Sequence, residues 1–169
     1  MMPRSTERHP ESDLIRDASR TRAALGELLR ALQLRDRDRA CCYELSASQC
    51  HALQVLYQEG PVTVTRLADR LYLEKSTASR LARSLLTKEL IRRRAPRDDG
   101  RQVILQLSER GHRLARKIIN DQEEEYRDLL SGFSREVRSA LPMVLDHLVR
   151  TVTERACTPE EMRSRESQP

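Results

Sequence analysis

The stretch LADRLYLEKSTASRLARSLL, residues 67–86, decides how this chain is read. Apolar residues at helical spacing lie on both sides of a short break at Tyr72-Leu73-Glu74. Two helices joined so tightly form a helix-turn-helix. The second opens with hydroxyls set between cations: Lys75, Ser76, Thr77, Ser79 and Arg80, with Arg83 behind them. Short hydroxyl side chains at a helix start allow close approach to phosphates and base edges, and the backbone N–H groups and helix dipole there favour an anion. Arginines one and two turns along can reach guanine edges in bidentate fashion or clamp the backbone.

The flanking segments extend the pattern in both directions. Upstream, Thr63 is placed to cap the first helix of the pair, 64–71. Gly60-Pro61 is a strong stop for a preceding helix that starts at Ser46, with Gln49 three residues on at the spacing of a capping box. Cys50, Leu53, Leu56 and Tyr57 mark the side of that helix expected to be buried. Downstream of the helix at 75–88, LIRRR and QVILQL alternate as two short strands around APRDDGR, whose Asp-Gly reads as a hairpin tip. A hairpin in this place makes the helix-turn-helix winged.

Long helices bracket this centre. The first covers about 11–34, with Leu14, Ala18, Leu25, Leu28, Leu29 and Leu32 on one stripe, before RDRDRACCYE interrupts the periodicity. Ser108 caps a fifth helix striped by Leu114, Ile118, Tyr126, Leu129, Leu130 and Phe133. Gly132 breaks it, and Ser134 caps a sixth carrying Val137, Leu141, Val144, Leu148 and Val152. Pro142 predicts a kink in this last helix. The fold class is therefore mainly α, six helices with a small β-hairpin between the fourth and fifth. A lone helix cannot bury such stripes, so the first, fifth and sixth helices are expected to pack together and against a second copy.

Composition narrows the function. The 169 residues carry a net charge of +5, and residues 75–101 alone hold nine cations against three acids, a net +6. Basicity concentrated in this way favours a polyanionic partner. With one Phe and no Trp, base stacking on aromatic platforms is excluded as the main mode of binding. The first residues, MMPRSTERHPESD, hold no apolar signal core and no run approaches a membrane span, so a soluble cytoplasmic protein is expected. The four histidines, His9, His51, His112 and His147, fall in no nucleophile, zinc-protease or acid–base pattern, and no glycine loop could cradle phosphates; an enzyme is not expected.

From Leu45 to Gly111, the run EKSTASRLARSL followed by LIRRR, RDDGR and LSERG closely resembles the MarR (multiple antibiotic resistance regulator) family of bacterial transcription regulators. The resemblance implies a homodimeric repressor with no required cofactor, whose two winged lobes straddle a pseudo-palindromic operator in double-stranded DNA. It divides the chain into a disordered 1–10, a dimerisation helix and linker at 11–45, a DNA-binding lobe at 46–107, dimerisation helices at 108–157 and a disordered tail at 158–169. The family's wing pairs an aspartate with an arginine two residues on, here Asp99 and Arg101, beside Arg97 and Asp98; the carboxylate would orient the guanidinium in the minor groove. One departure stands out. The family usually has glycine in the turn where this chain has Tyr72, and tyrosine disfavours positive φ, so a different turn geometry is expected. The competing reading is a winged-helix module that binds protein instead of DNA.

The signal such a regulator would sense is less defined. Cys41 and Cys42, expected in the loop entering the second helix, and Cys50 one turn into it place three thiols within ten residues. Three thiolates could hold a soft ion such as trivalent arsenic, antimony, mercury or Cu(I). They could also act as an oxidation sensor with a resolving cysteine, or simply pack as small apolar groups. The resemblance also implies a small aromatic or phenolic ligand between the helical domain and the winged lobe, lined by the first, second and fifth helices with His51 nearby.

Overall fold

The computed structural model describes residues 10–94 and 103–155, with backbone alone for 10, 36–42 and 155. Among these residues six helices and three strands run in the order α1 (Pro10–Tyr43), α2 (Ala47–Glu59), β1 (Val62–Thr63), α3 (Val64–Arg70), α4 (Lys75–Thr87), β2 (Ile91–Arg94), β3 (Ile104–Leu107), α5 (Glu109–Ser131) and α6 (Arg135–Arg155). Of the segments 1–10 and 158–169 expected to lack structure, Pro10 is instead the first residue of α1 and the rest lie outside the described residues. The chain forms two compact units, residues 1–119 and 120–169. No described helix is long and apolar enough to cross a membrane.

The caps read from the sequence are in place. Ser46 Oγ accepts from the Gln49 N–H at 3.2 Å while Gln49 Oε1 accepts from the Ser46 N–H at 3.0 Å, the reciprocal pair of a capping box. Gly60 ends α2 at φ 78°, in the left-handed half of the map that suits glycine. Thr63 Oγ1 accepts from the Arg66 N–H at 3.1 Å and starts α3.

Four local expectations are corrected. First, α1 runs on through RDRDRACCY to Tyr43, so Cys41 and Cys42 belong to a helix and not to a loop. That segment lacks an apolar period but also lacks glycine and proline, and arginine and alanine are good helix formers. Second, the sheet has three strands in the order β1-β3-β2, all antiparallel: Val62 pairs with Leu105 and Thr63 with Ile104, while Ile91 to Arg94 pair with Leu107 to Ile104. Third, β2 does not alternate. Ile91 is buried and Arg92, Arg93 and Arg94 are all exposed, as an edge strand allows. Fourth, Tyr57 is 39% exposed despite its place on the apolar side of α2.

The core of the first unit is built on fully buried Leu53, Leu56, Leu67, Leu85, Leu90, Leu105 and Ile118. Each such side chain contributes roughly 1.5–3 kcal/mol of burial. In the second unit, Ser134 Oγ accepts from the Val137 N–H at 3.4 Å and starts α6, which is continuous through Pro142. Its stripe is covered only in part: Leu141 and Leu148 are half-buried, while Val152 is 66% exposed and Val137 and Val144 are also exposed. Leu14 and Leu29 of α1 are exposed as well.

Candidate nucleic-acid interface

The site is one side of α4. A helix advances about 100° per residue. Ser76, Ser79, Arg80 and Arg83 therefore fall within an arc of about 100° of the axis. Ala78, Ala82 and Leu85, all buried, occupy the opposite side. Lys75, Ser76, Ser79, Arg80 and Arg83 are exposed and Thr77 is half-buried at the edge of the arc. Arg80 donates to Thr77 Oγ1 at 3.2 Å, which holds its guanidinium along the helix.

The start of α4 is open. Glu74 is its N-cap at φ −60° and ψ 142°, and its side chain makes no capping bond. The first-turn N–H groups thus keep their donors for an external acceptor. The Glu74 carboxylate would repel a phosphate placed on the axis, which directs contacts to the flank formed by Ser76, Ser79, Arg80 and Arg83.

The turn before α4 answers the question posed by Tyr72. Its φ is 53°, so the left-handed geometry is kept and the expected departure does not occur. The Leu73 N–H bonds the Ala68 carbonyl at 2.9 Å and the Tyr72 N–H bonds that of Asp69 at 3.3 Å, the two bonds of a Schellman ending. These bonds outweigh the local preference of tyrosine, whose ring is left 72% exposed. The end of α4 repeats the motif with Glu89 at φ 57°, Leu90 N–H to Leu85 carbonyl at 3.0 Å and Glu89 N–H to Leu86 carbonyl at 2.9 Å. Leu85 and Leu90 supply its buried apolar contact.

That end of α4 is anchored from several directions. Ser108 Oγ donates to the Glu89 carbonyl at 2.7 Å and accepts from the Gly111 N–H at 3.0 Å, while the Ser108 N–H bonds the Leu90 carbonyl at 3.0 Å. A Cβ on Gly111 would lie 1.9 Å from that Leu90 oxygen, so only glycine fits. The serine and glycine of LSERG are therefore the seat of α5 against the α4–β2 turn. The sequence marked this serine as a cap and missed its second role.

Charge is distributed unevenly between the two helices. Arg66 and Arg70 of α3 both pair with Glu59 of α2, Arg66 Nε at 2.9 Å. The Arg66 hydrogen bond is the chief cause holding the Glu59 carboxyl below its ordinary range, with Arg70 adding to it. No ion pair joins Lys75, Arg80 or Arg83 to an acid among the described residues. Arg92, Arg93 and Arg94, not singled out in the sequence as contacts, add an exposed cationic strand at the root of the hairpin.

The remaining residues of interest are placed only in part. Arg97, Asp98, Asp99 and Arg101 lie outside the described residues. Cys41 and Cys42 lie in α1 by their backbone, and their side chains are outside the description. Cys50 is buried in the core cluster of α2. A cleft of about 300 Å³ opens where the end of α2, β2, β3 and the start of α5 meet, lined by Tyr57, Arg92, Gln106, Glu109 and His112 among others. The Tyr57 and His112 rings meet edge to face at 6.0 Å. His51 and the described side chains of α1 are not among the residues lining this cleft.

Comparison with known proteins bears on the lobe as a whole. Residues 45–103 match the model of the MarR family. An uncharacterized HTH-type transcriptional regulator of Bacillus subtilis (strain 168), YsmB, is 31% identical over 94 residues, which are 56% of this chain and 64% of that one; the match thus spans less than two thirds of that relative. The structure of a MarR family protein from Bacillus stearothermophilus is 30% identical with a TM-score of 0.64, covering 80% of this chain and 97% of that one. A protein from Listeria monocytogenes assigned as a MarR family transcriptional regulator, solved with a 26mer DNA, has a TM-score of 0.71 over 87% of this chain and 95% of that one. At 20% identity that last likeness is one of fold.

Proposed function

Because the chain belongs to the MarR family of transcriptional regulators, which are not enzymes, we propose that it is a homodimeric repressor binding a pseudo-palindromic operator in double-stranded DNA. The observation that carries this reading is the division of α4: one side buried, the other an exposed arc of Ser76, Ser79, Arg80 and Arg83 ahead of an uncapped helix start. Such an arc suits a major groove, where hydroxyls pass close to phosphates and arginines reach base edges. Arg92, Arg93 and Arg94 extend the cationic surface toward the wing, where Arg101 oriented by Asp99 would enter the minor groove, beside Arg97 and Asp98. The partly uncovered stripes of α1 and α6 support a second copy as the partner.

The effector acts by favouring a lobe arrangement that the operator does not accept, weakening binding by linkage. Two chemistries compete for this role. One is thiol chemistry at Cys41, Cys42 and Cys50, with a soft ion such as trivalent arsenic or with an oxidant. The other is a small aromatic ligand, for which the cleft beside Tyr57 and His112 offers rings, a guanidinium and a carboxylate.

The test is enrichment of bound duplexes from a randomised pool, followed by titration of the selected duplex and of a scrambled one. Selective binding is expected, and its release by trivalent arsenic or by peroxide should vanish in the Cys41→Ser/Cys42→Ser/Cys50→Ser variant. Release that persists in that variant rejects these three thiols as the sensor, and release of the selected duplex by a phenolic carboxylate would favour the cleft. A protein that retains no duplex is instead the interaction module.

A further inference from the structure

Among the described residues only two polar side chains are buried, Gln49 and Ser108; the first bonds the rear half of α4 and the second the turn that follows it. Ser108 secures the backbone of the turn after the helix. Gln49 does something different: its Nε2 donates to Ser84 Oγ at 2.7 Å, across 35 residues of sequence. The same amide closes the capping box of α2 through its oxygen, so its orientation is fixed by its own helix before it reaches α4. One turn after Ser84, Lys88 Nζ donates to the Glu44 carbonyl at 2.9 Å. Glu44 sits in the left-handed region at φ 56°, at the end of α1.

Ser84 and Lys88 are four residues apart and share a flank of α4. Both are held by the junction that joins α1 to α2. We propose that Gln49 and Lys88 are positioning residues for DNA readout, setting the roll of α4 about its own axis; the inference rests on the DNA-binding reading above.

The packing on the buried side explains why a polar latch is needed there. Leu85 seats the rear of this side in the core, but Ala78 and Ala82, which let the front half approach its neighbours closely, give little resistance to rotation there. Apolar contact is non-directional, whereas a hydrogen bond to a fixed amide weakens steeply once its angle is lost. A roll of about 10° at a side-chain radius of about 6 Å moves an arginine head by about 1 Å. That displacement spoils a bidentate contact to a base edge and leaves a contact to a flexible phosphate largely intact. The latch therefore governs discrimination between sequences more than attraction to DNA in general.

The experiment compares wild type, Gln49→Leu, Lys88→Met and the Gln49→Leu/Ser84→Ala double variant. Each is titrated in one buffer with a duplex enriched by the wild type from a randomised pool and with a scrambled duplex of equal length. The ratio of the two affinities is the readout, with melting temperature measured alongside. In Gln49→Leu the ratio falls on the order of tenfold, the size of one degraded bidentate contact, while affinity for the scrambled duplex holds. Lys88→Met lowers the ratio in the same direction. In the double variant the Ser84 hydroxyl stranded by Gln49→Leu is gone too, so the melting temperature recovers part of the way, the capping bond to the Ser46 N–H staying lost. The ratio does not recover, because nothing directional replaces the latch. A ratio that returns together with the melting temperature, or one unchanged in the single variants, overturns the proposal while leaving the DNA-binding reading intact. A wild type that shows no preference for any duplex overturns both.

Discussion

The two ends of α4 are built on opposite plans. The leading end has an N-cap that bonds nothing with its side chain, exposed hydroxyls, and arginines without acidic partners among the described residues. The trailing end has its turn carbonyls bonded by Ser108, its flank bonded to Gln49 and Glu44, and Gly111 beneath it. One helix thus offers its contacts at the front and takes its hold on the lobe at the rear, where the Gln49 and Lys88 bonds also set how the front is aimed. Damage to the Ser108–Gly111 anchor at the rear should unfold the lobe, and damage at the front should silence it without unfolding.

The strongest way to break this contrast is Gly111→Ala. The new methyl would meet a backbone oxygen that Ser108 already holds, so neither side can yield. A loss of about 3 kcal/mol or more is expected in chemical denaturation, with DNA affinity falling only as the folded fraction falls. Next in size is Arg80→Ala at the front. Affinity for the selected duplex should drop by about 1–3 kcal/mol, with unfolding free energy changed by no more than about 0.5 kcal/mol. If Arg80→Ala lowers the denaturation midpoint substantially, the contrast is wrong.

Tyr72→Gly sharpens the comparison at the turn that leads into the front end. Relief of the left-handed strain should stabilise the lobe by about 0.5–1 kcal/mol, seen as a higher melting temperature. The smallest effect belongs to Glu59. Its carboxyl is held below the ordinary range by Arg66 and Arg70, so its contribution is present above that range and is lost as pH falls through the folded-state value. The carboxyl is solvent-exposed, so the effect is small. Glu59→Gln should lower the neutral plateau slightly and leave stability below the folded-state value unchanged, which flattens the acid limb of a stability-against-pH curve.

What the sequence made legible was whatever rests on short spacing. The capping box at Ser46 and Gln49, the Thr63 cap and the helix at 75–88 all follow from residues within one or two turns of each other. The pairing of Gln49 with Ser84 does not, because nothing local distinguishes that glutamine from any other capping-box partner. β1 escaped notice because two residues cannot show a period, and Thr63 serves both the strand and the cap of α3. The end of α1 was read as a break because its charged run has no apolar period, although it holds no glycine or proline to stop a helix. Tyr72 shows the limit of propensity, since a residue ill-suited to positive φ adopts it when two backbone bonds and a free path for its ring favour the turn. The apolar faces of α1 and α6 were plain in the sequence, and the single chain covers them only in part.

The pairing of Arg66 and Arg70 with Glu59 has one more consequence. Counting lysines and arginines in the lobe would overstate how many ions the protein displaces from a duplex. Two guanidiniums share the single Glu59 carboxylate, so about one of their two charges is already matched and is not free to displace condensed sodium or potassium. The slope of log affinity against log salt should therefore be set mainly by α4, β2 and the hairpin, with α3 contributing less than its two arginines suggest.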